Sequence, residues 1–205
     1  MIRVHHLNDS RSQRILWLLE ELGEPYELVK YQRDAITSLA PPALEALHPL
    51  GKSPMLELDG RLMIESGAII EIVLSHAGKG RFVPPARSAD YDRYIMWLHY
   101  AEGSAMLPLM LQLYTSRLGE AAGPLKPRID SEMQRHLGWV NSELEGRDWL
   151  VGDDITGADI QMSFVGEVAG AMRSAYPAMD AWVKRFQARP AYQRALEKGG
   201  AYRFL

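Results

Sequence analysis

The 205-residue chain contains no cysteine. That absence excludes a disulfide scaffold, a cysteine-rich zinc site and any mechanism that uses a protein thiol. It also accords with a reducing compartment. Long apolar runs are missing too. Residues 62–74 are interrupted by Glu65 and Glu71, and residues 106–114 by Pro108 and Gln112. Nothing approaches the roughly 18 apolar residues of a membrane span. The N-terminus lacks a signal-peptide pattern, because its apolar run at residues 15–19 is short and follows Asp9, Arg11 and Arg14. A cytoplasmic protein is expected. Charge of one sign is scarce: Lys+Arg number 23, Asp+Glu 26, and the net charge is −3. There is no basic footprint for nucleic acid or anionic lipid. What remains is an ordinary globular composition, 47% hydrophobic and 24% charged. At about 150 residues per domain the length predicts one large domain or two small ones.

The first eighty or so residues alternate strand and helix patterns. Ile2–Leu7 reads as a strand and Asn8-Asp9-Ser10 as a turn. Ile15, Leu18, Leu19 and Leu22 then share a helical face that Gly23 ends. Tyr26–Tyr31 reads as a second strand, and Pro41-Pro42 can open a short helix. Met55–Leu58 and residues 61–64 flank Asp59-Gly60, a strong hairpin signal. From Glu65 a helix follows with Ala68, Ile69, Ile72, Val73 and His76 on one face. The order is β-α-β, then β-β-α.

Residues 78–88 carry paired Gly, Pro and Arg and read as a linker. No strand pattern follows. Tyr91, Tyr94, Ile95, Leu98, Ala105 and Leu109 make one long stripe, which Pro108 should kink. Ile129, Met133, Leu137, Val140 and Leu144 make another, and Ile160, Phe164, Val168 and Met172 a third. Trp182, Val183 and Phe186 sit in a shorter helix, and a last one covers residues 191–197. The expected architecture is α/β plus all-α: a thioredoxin-like domain at 1–80, a linker at 81–88 and a helical bundle at 89–205.

Several short signals bear on chemistry. Ser53-Pro54 enters a strand, where proline has no N–H to give the ladder. It is either an ordinary trans bond or the cis-proline of a thioredoxin-like fold, which turns the preceding N–H and C=O toward an extended peptide. Glu65-Ser66 opens a helix, so it is either a plain cap or a carboxylate site on the free N–H groups. Ser10 precedes the first helix, where its hydroxyl can cap or donate to an anion such as a thiolate; Ser12 competes for either role. Thr156-x-x-Asp159 reads as a structural reciprocal cap. His5 and His6 are adjacent on a strand and point to opposite faces. They and His48, His76, His99 and His136 show no metal-ligand spacing, so no metal is expected.

Taken together, these segments resemble a cytosolic glutathione S-transferase over essentially the whole chain. Asp9-Ser10-Arg11-Ser12-Gln13-Arg14, with Ile15-Leu16-Trp17-Leu18-Leu19-Glu20-Glu21-Leu22, resembles the family's first loop and helix. His48-Pro49-Leu50-Gly51-Lys52-Ser53-Pro54 resembles its Asn-Pro-x-Gly-Lys-Val-Pro, and Ile64-Glu65-Ser66-Gly67-Ala68-Ile69 its Glu-Ser-x-Ala-Ile. Trp149-Leu150-Val151-Gly152-Asp153 through Ala158-Asp159-Ile160 resembles its helical folding module. The wording is similar to a fungal and bacterial branch with Ser-Arg-Ser in the first loop.

The resemblance implies glutathione as co-substrate. Glu65 and Ser66 would hold its γ-glutamyl end and the Ser53 backbone its cysteinyl unit beside cis-Pro54. Lys52 would lie near the glycyl carboxylate, with His48 nearby. Ser10 matches the hydroxyl of serine-type members. The family often has proline two residues later, where this chain has Ser12, which stands as the alternative. Glu102 is a candidate to reach a partner subunit's ligand, since a homodimer is implied. A free thiol near pKa 8.5 is only about 3% thiolate at pH 7. Lowering it by about two units needs roughly 2.7 kcal/mol of preferential anion stabilisation. The thiolate would attack a small hydrophobic electrophile held near Met106, Met110, Tyr114, Tyr202 and Phe204. Missing cysteine excludes the cysteine-dependent relatives. A glutathione-dependent peroxidase or disulfide reductase and a non-catalytic glutathione-binding assembly module remain as alternatives.

Overall fold

The structure is a computed structural model that describes residues 1–205. In chain order the elements are β1 (Ile2–Leu7), α1 (Ser12–Leu22), β2 (Tyr26–Tyr31), α2 (Pro42–Glu45), β3 (Met55–Leu58), β4 (Arg61–Met63) and α3 (Ser66–Ala77). Then follow α4 (Ala89–Tyr100), a π-helical turn (Ala101–Ala105), α5 (Met106–Thr115) and a 3₁₀ turn (Ser116–Ala122). The chain ends with α6 (Lys126–Leu144), α7 (Gly157–Val168), a second 3₁₀ turn (Gly170–Ala175), α8 (Pro177–Gln187) and α9 (Pro190–Gly199).

The chain packs as two compact units, Met1–Arg81 with Phe186–Leu205, and Phe82–Arg185. In the first, a four-stranded sheet has the order β2-β1-β3-β4. β1 runs parallel to β2 and antiparallel to β3, which pairs antiparallel with β4. The β3–β4 turn is Asp59-Gly60, with φ of 52° and 77°, the paired positive values that a two-residue hairpin requires.

Two expectations for this unit are corrected. The buried face of α3 comprises Ile69, Ile70, Val73, Leu74 and Ala77, whereas Ile72 is 36% exposed. Apolar residues surround this helix, so periodicity alone left its rotation open. On α1 every residue from Ser12 to Glu20 is buried, not only the expected stripe. The second cover is α9, which packs along α1. Trp17 stacks on Phe186 at 5.2 Å and meets Tyr192 edge-on at 5.5 Å. Arg189 forks onto Glu21 with Nε 2.5 Å and Nη2 3.0 Å from the carboxylate oxygens. Glu20 accepts from Tyr26, Arg194 and Lys198. These contacts draw the C-terminal segment into the first unit, a departure from a helical domain covering all of 89–205.

The second unit is helical throughout. Pro108 stands in the first turn of α5, and the expected irregularity lies upstream of it as the π-helical turn. The cause is the missing Pro108 N–H, which leaves the Ser104 carbonyl without its usual partner, while the ring crowds that carbonyl. α7 stops at Val168 and Met172 falls in the following 3₁₀ turn, shortening the expected third stripe. The Thr156–Asp159 capping box is present. Asp159, fully buried, also accepts from Leu150 N–H and Trp182 Nε1, each at 3.0 Å.

Candidate active site

The site is built where β1 ends. Asn8 and Asp9 turn the chain, with Asp9 at φ 51°, and α1 begins at Ser12. Arg33 holds this loop from beside β2, its backbone N–H donating to Asn8 Oδ1 at 2.7 Å and its Nε to the Asn8 carbonyl at 3.1 Å. Arg203 holds it from the C-terminal segment, with N and Nε each 2.8 Å from the Asp9 carboxylate oxygens. Both arginines escaped the sequence reading, because neither lies in a local motif.

Ser10 and Ser12 are brought together. Their hydroxyl oxygens lie 2.7 Å apart, and Ser12 N–H donates to Ser10 Oγ at 3.2 Å. Ser12 is fully buried, whereas Ser10 retains 4% exposure. Ser12 Oγ also lies 2.8 Å from His6 Nδ1. Burial, aided by Lys30, pushes the His6 ring down to about 4, against smaller upward effects of Gly199 and Asp9. His5 points the other way, between Tyr31 Oη at 2.9 Å and Glu57 Oε1 at 2.8 Å.

The Ser53–Pro54 bond is cis. Ser53 Oγ donates to the His5 carbonyl at 2.9 Å and accepts from Leu7 N–H at 3.2 Å. That same N–H reaches Ser12 Oγ at 3.3 Å, so one amide at the end of β1 joins the serine loop to the Ser53-Pro54 turn. Upstream, Gly51 has φ 55°, and a Cβ there would come 2.6 Å from Glu45 in α2. Only glycine suits that bend. His48 is half-buried, its Nδ1 accepting from Leu50 N–H at 3.3 Å, and Lys52 is exposed.

Glu65 stands just before α3 at φ 68° and ψ 110°. Its carbonyl accepts from Ile69 N–H at 2.9 Å, and the residue is exposed. Ser66 is buried, and Arg14 Nη1 reaches its Oγ at 3.3 Å. Arg14, itself 2% exposed, thus ties α1 to the N-terminus of α3. The spacing of Arg14 in α1 carried no sign of this reach across the fold.

Among the other candidates, Tyr202 is buried and Phe204 half-buried, their rings 5.3 Å apart in the first unit. In the second unit Met106 is a buried core residue, Met110 is half-buried and Tyr114 is 59% exposed. Glu102 lies half-buried in the π-helical turn.

The chain thus pairs a thioredoxin-like sheet unit, with a cis-proline before β3, with an all-helical unit. Known proteins narrow this. The model described as "Glutathione S-transferase, N-terminal domain" matches residues 10–75, and "Glutathione S-transferase, C-terminal domain" matches residues 105–190. Glutathione S-transferase 1 of Saccharomyces cerevisiae is 32% identical, covering 98% of this chain and 96% of its own. A glutathione S-transferase structure from Actinobacillus pleuropneumoniae is 34% identical with a TM-score of 0.90, covering 98% of this chain and 94% of its own. A glutathione transferase family member from Pseudomonas fluorescens, solved with two glutathione bound, is 26% identical with a TM-score of 0.79, covering 96% and 92%. The chain belongs to the glutathione S-transferase family.

Proposed function

We propose that the protein binds glutathione on its first unit and activates the thiol, as thiolate, for attack on a small hydrophobic electrophile. The observation that carries this reading is the linkage of the serine loop to both flanking motifs. Leu7 N–H serves Ser12 and Ser53, and Arg14 joins α1 to Ser66. In this reading Glu65 and Ser66, at the positive end of α3, take the γ-glutamyl group. The Ser53 backbone beside Pro54 takes the cysteinyl unit. Lys52, with His48 nearby, faces the glycyl carboxylate. Ser10 donates to the sulfur, and its small exposed area against none for Ser12 favours it for that role.

The thiol proton leaves to solvent, and the thiolate forms a carbon–sulfur bond as the leaving group departs or an unsaturated acceptor is protonated. Met110 and Tyr114 in the second unit and Tyr202 and Phe204 in the first remain the electrophile candidates, whereas Met106 is packed in the core. We further infer a cytoplasmic homodimer in which Glu102 reaches the partner's ligand. Exposed Leu107, Leu111, Leu113 and Leu118 on and after α5 support a covered face there.

The test is a pH titration of thiolate absorbance with glutathione bound, in wild type and Ser10→Ala. The expected result is a wild-type thiol pKa about two units below that of free glutathione, restored upward by Ser10→Ala. Saturable binding with no lowering in wild type would point instead to a binding module without turnover.

A further inference from the structure

Ser10, Ser12 and His6 form one continuous hydrogen-bonded chain inside the first unit, and it ends against Gly199. Ser10 Oγ lies 2.7 Å from Ser12 Oγ, which lies 2.8 Å from His6 Nδ1. The far side of the ring, Nε2, faces Gly199 at the end of α9, whose backbone favours a proton on the ring. All three side chains are buried.

The direction of this chain is decided at its inner end. The Gly199 backbone raises the ring's proton affinity, as an accepting carbonyl does, so His6 carries its proton on Nε2, the nitrogen that faces Gly199. The ring sits at about 4, held there by burial and Lys30 against the upward pull of Gly199 and Asp9. At neutral pH it therefore holds a single proton, and Nδ1 is an acceptor. Ser12 Oγ has two acceptors within reach, His6 Nδ1 at 2.8 Å and the Leu7 carbonyl at 3.3 Å, and its proton goes to the nearer, the ring nitrogen. A hydroxyl has one proton, so Ser12 then offers only lone pairs toward Ser10. Two hydroxyl oxygens at 2.7 Å require a proton between them, and only Ser10 can supply it. Ser10 Oγ meanwhile accepts from Ser12 N–H at 3.2 Å.

A hydroxyl stabilises a thiolate by donating to it, and the Ser10 proton is turned toward Ser12. We propose that the His6–Ser12 chain restrains Ser10 by competing with the glutathione thiolate for its proton, so that Ser12 and His6 are positioning residues that set how much thiolate forms. This rests on the reading of Ser10 as the thiolate's donor. Transfer of the thiol proton along the chain to His6 is disfavoured. A thiol near 8.5 and a ring at about 4 differ by a factor on the order of 10⁴ in proton affinity. The attraction between charges separated by two serines recovers only part of that at an effective protein dielectric.

The test titrates thiolate absorbance of bound glutathione in wild type, Ser10→Ala, Ser12→Ala and the double variant. Ser12→Ala removes the inward acceptor and releases the Ser10 proton to sulfur. Its thiol pKa should fall below wild type by about half a unit to one unit, the span between neutral and charge-assisted hydrogen bonds. The double variant should return to the Ser10→Ala value. His6→Leu should shift the thiol pKa in the same direction as Ser12→Ala, because Ser12 can then turn its proton to Ser10 at 2.7 Å in preference to the Leu7 carbonyl at 3.3 Å. His6→Asn, whose Oδ1 replaces Nδ1 as acceptor, should keep the wild-type value. A thiol pKa unchanged or raised in both Ser12→Ala and His6→Leu, while Ser10→Ala raises it, overturns the restraint and leaves the Ser10 reading standing. A Ser12→Ala effect that survives in the double variant also overturns it. A Ser10→Ala value equal to wild type brings down the Ser10 reading itself, and the restraint with it.

Discussion

Glu65 combines a backbone conformation that L residues rarely adopt with an exposed carboxylate at a helix N-terminus. Strain of that kind costs on the order of 1–3 kcal/mol and persists where surroundings over-determine it. Here the α3 hydrogen bond from Ile69 N–H and the buried Ser66 beside it do so. If the carboxylate receives the ammonium of the γ-glutamyl group, Glu65→Gln removes the charge and keeps the backbone. The glutathione Kd should then rise about five- to tenfold by calorimetry, roughly the value of one partly exposed charge-assisted bond. The urea midpoint should move little. An unchanged Kd would remove the carboxylate from the binding reading. Ser10 is the other residue whose role turns on one atom, since its oxygen is placed by Ser12 N–H while the direction of its proton depends on a ring two partners away.

At the scale of elements, two buried carboxylates hold helices together by different chemistry. Glu20 on α1 faces cations from α9. Burial pushes it up, but Lys198, Tyr26 and Arg194 prevail and hold it below the usual carboxylate range. Asp159 has no cation and instead gathers neutral donors from the segment before α7 and from α8, namely Leu150 N–H, Thr156 N–H and Oγ1–H, and Trp182 Nε1–H. Burial raises it to about 6, the donors opposing. Asp159→Asn turns one acceptor into a donor facing donors. It should destabilise the protein by about 2–4 kcal/mol in urea unfolding, in line with breaking a buried charged network. A loss under 1 kcal/mol would show that the network can rearrange around an amide. The capping box itself was legible in Thr156-x-x-Asp159, because a cap is a local spacing. The bond from Trp182 was not, because no local rule brings α8 to that carboxylate.

For the whole molecule, His6 and Asp159 give acid stability two opposing slopes. The folded His6 lies at about 4 against 6.5 unfolded. Its contribution is complete above about 6.5 and is lost as pH falls toward 4, up to about 3 kcal/mol. Asp159 moves from 3.8 to about 6 on folding, so its contribution is present below about 3.8 and lost as pH rises through 6. His6→Asn should therefore lose less stability than wild type between pH 6.5 and 4.5 in urea unfolding series. A variant curve parallel to wild type would contradict the depressed ring. The elements and their order are legible in local sequence signals. Strand alternation, the helical repeat of apolar residues, Gly23, Asp59-Gly60 and the Thr156 cap act within a few residues, and their physics is local. The same signals place Ser10, Ser53, Glu65 and Ser66 at the ends of those elements. Which face of α3 is buried, that α9 covers α1, and that Arg14 reaches Ser66 follow from packing in three dimensions. Only there does His6 stand behind Ser12 with Gly199 behind it. Those outcomes depend on contacts between segments far apart in the chain, where burial and hydrogen-bond geometry, rather than periodicity, select the partner.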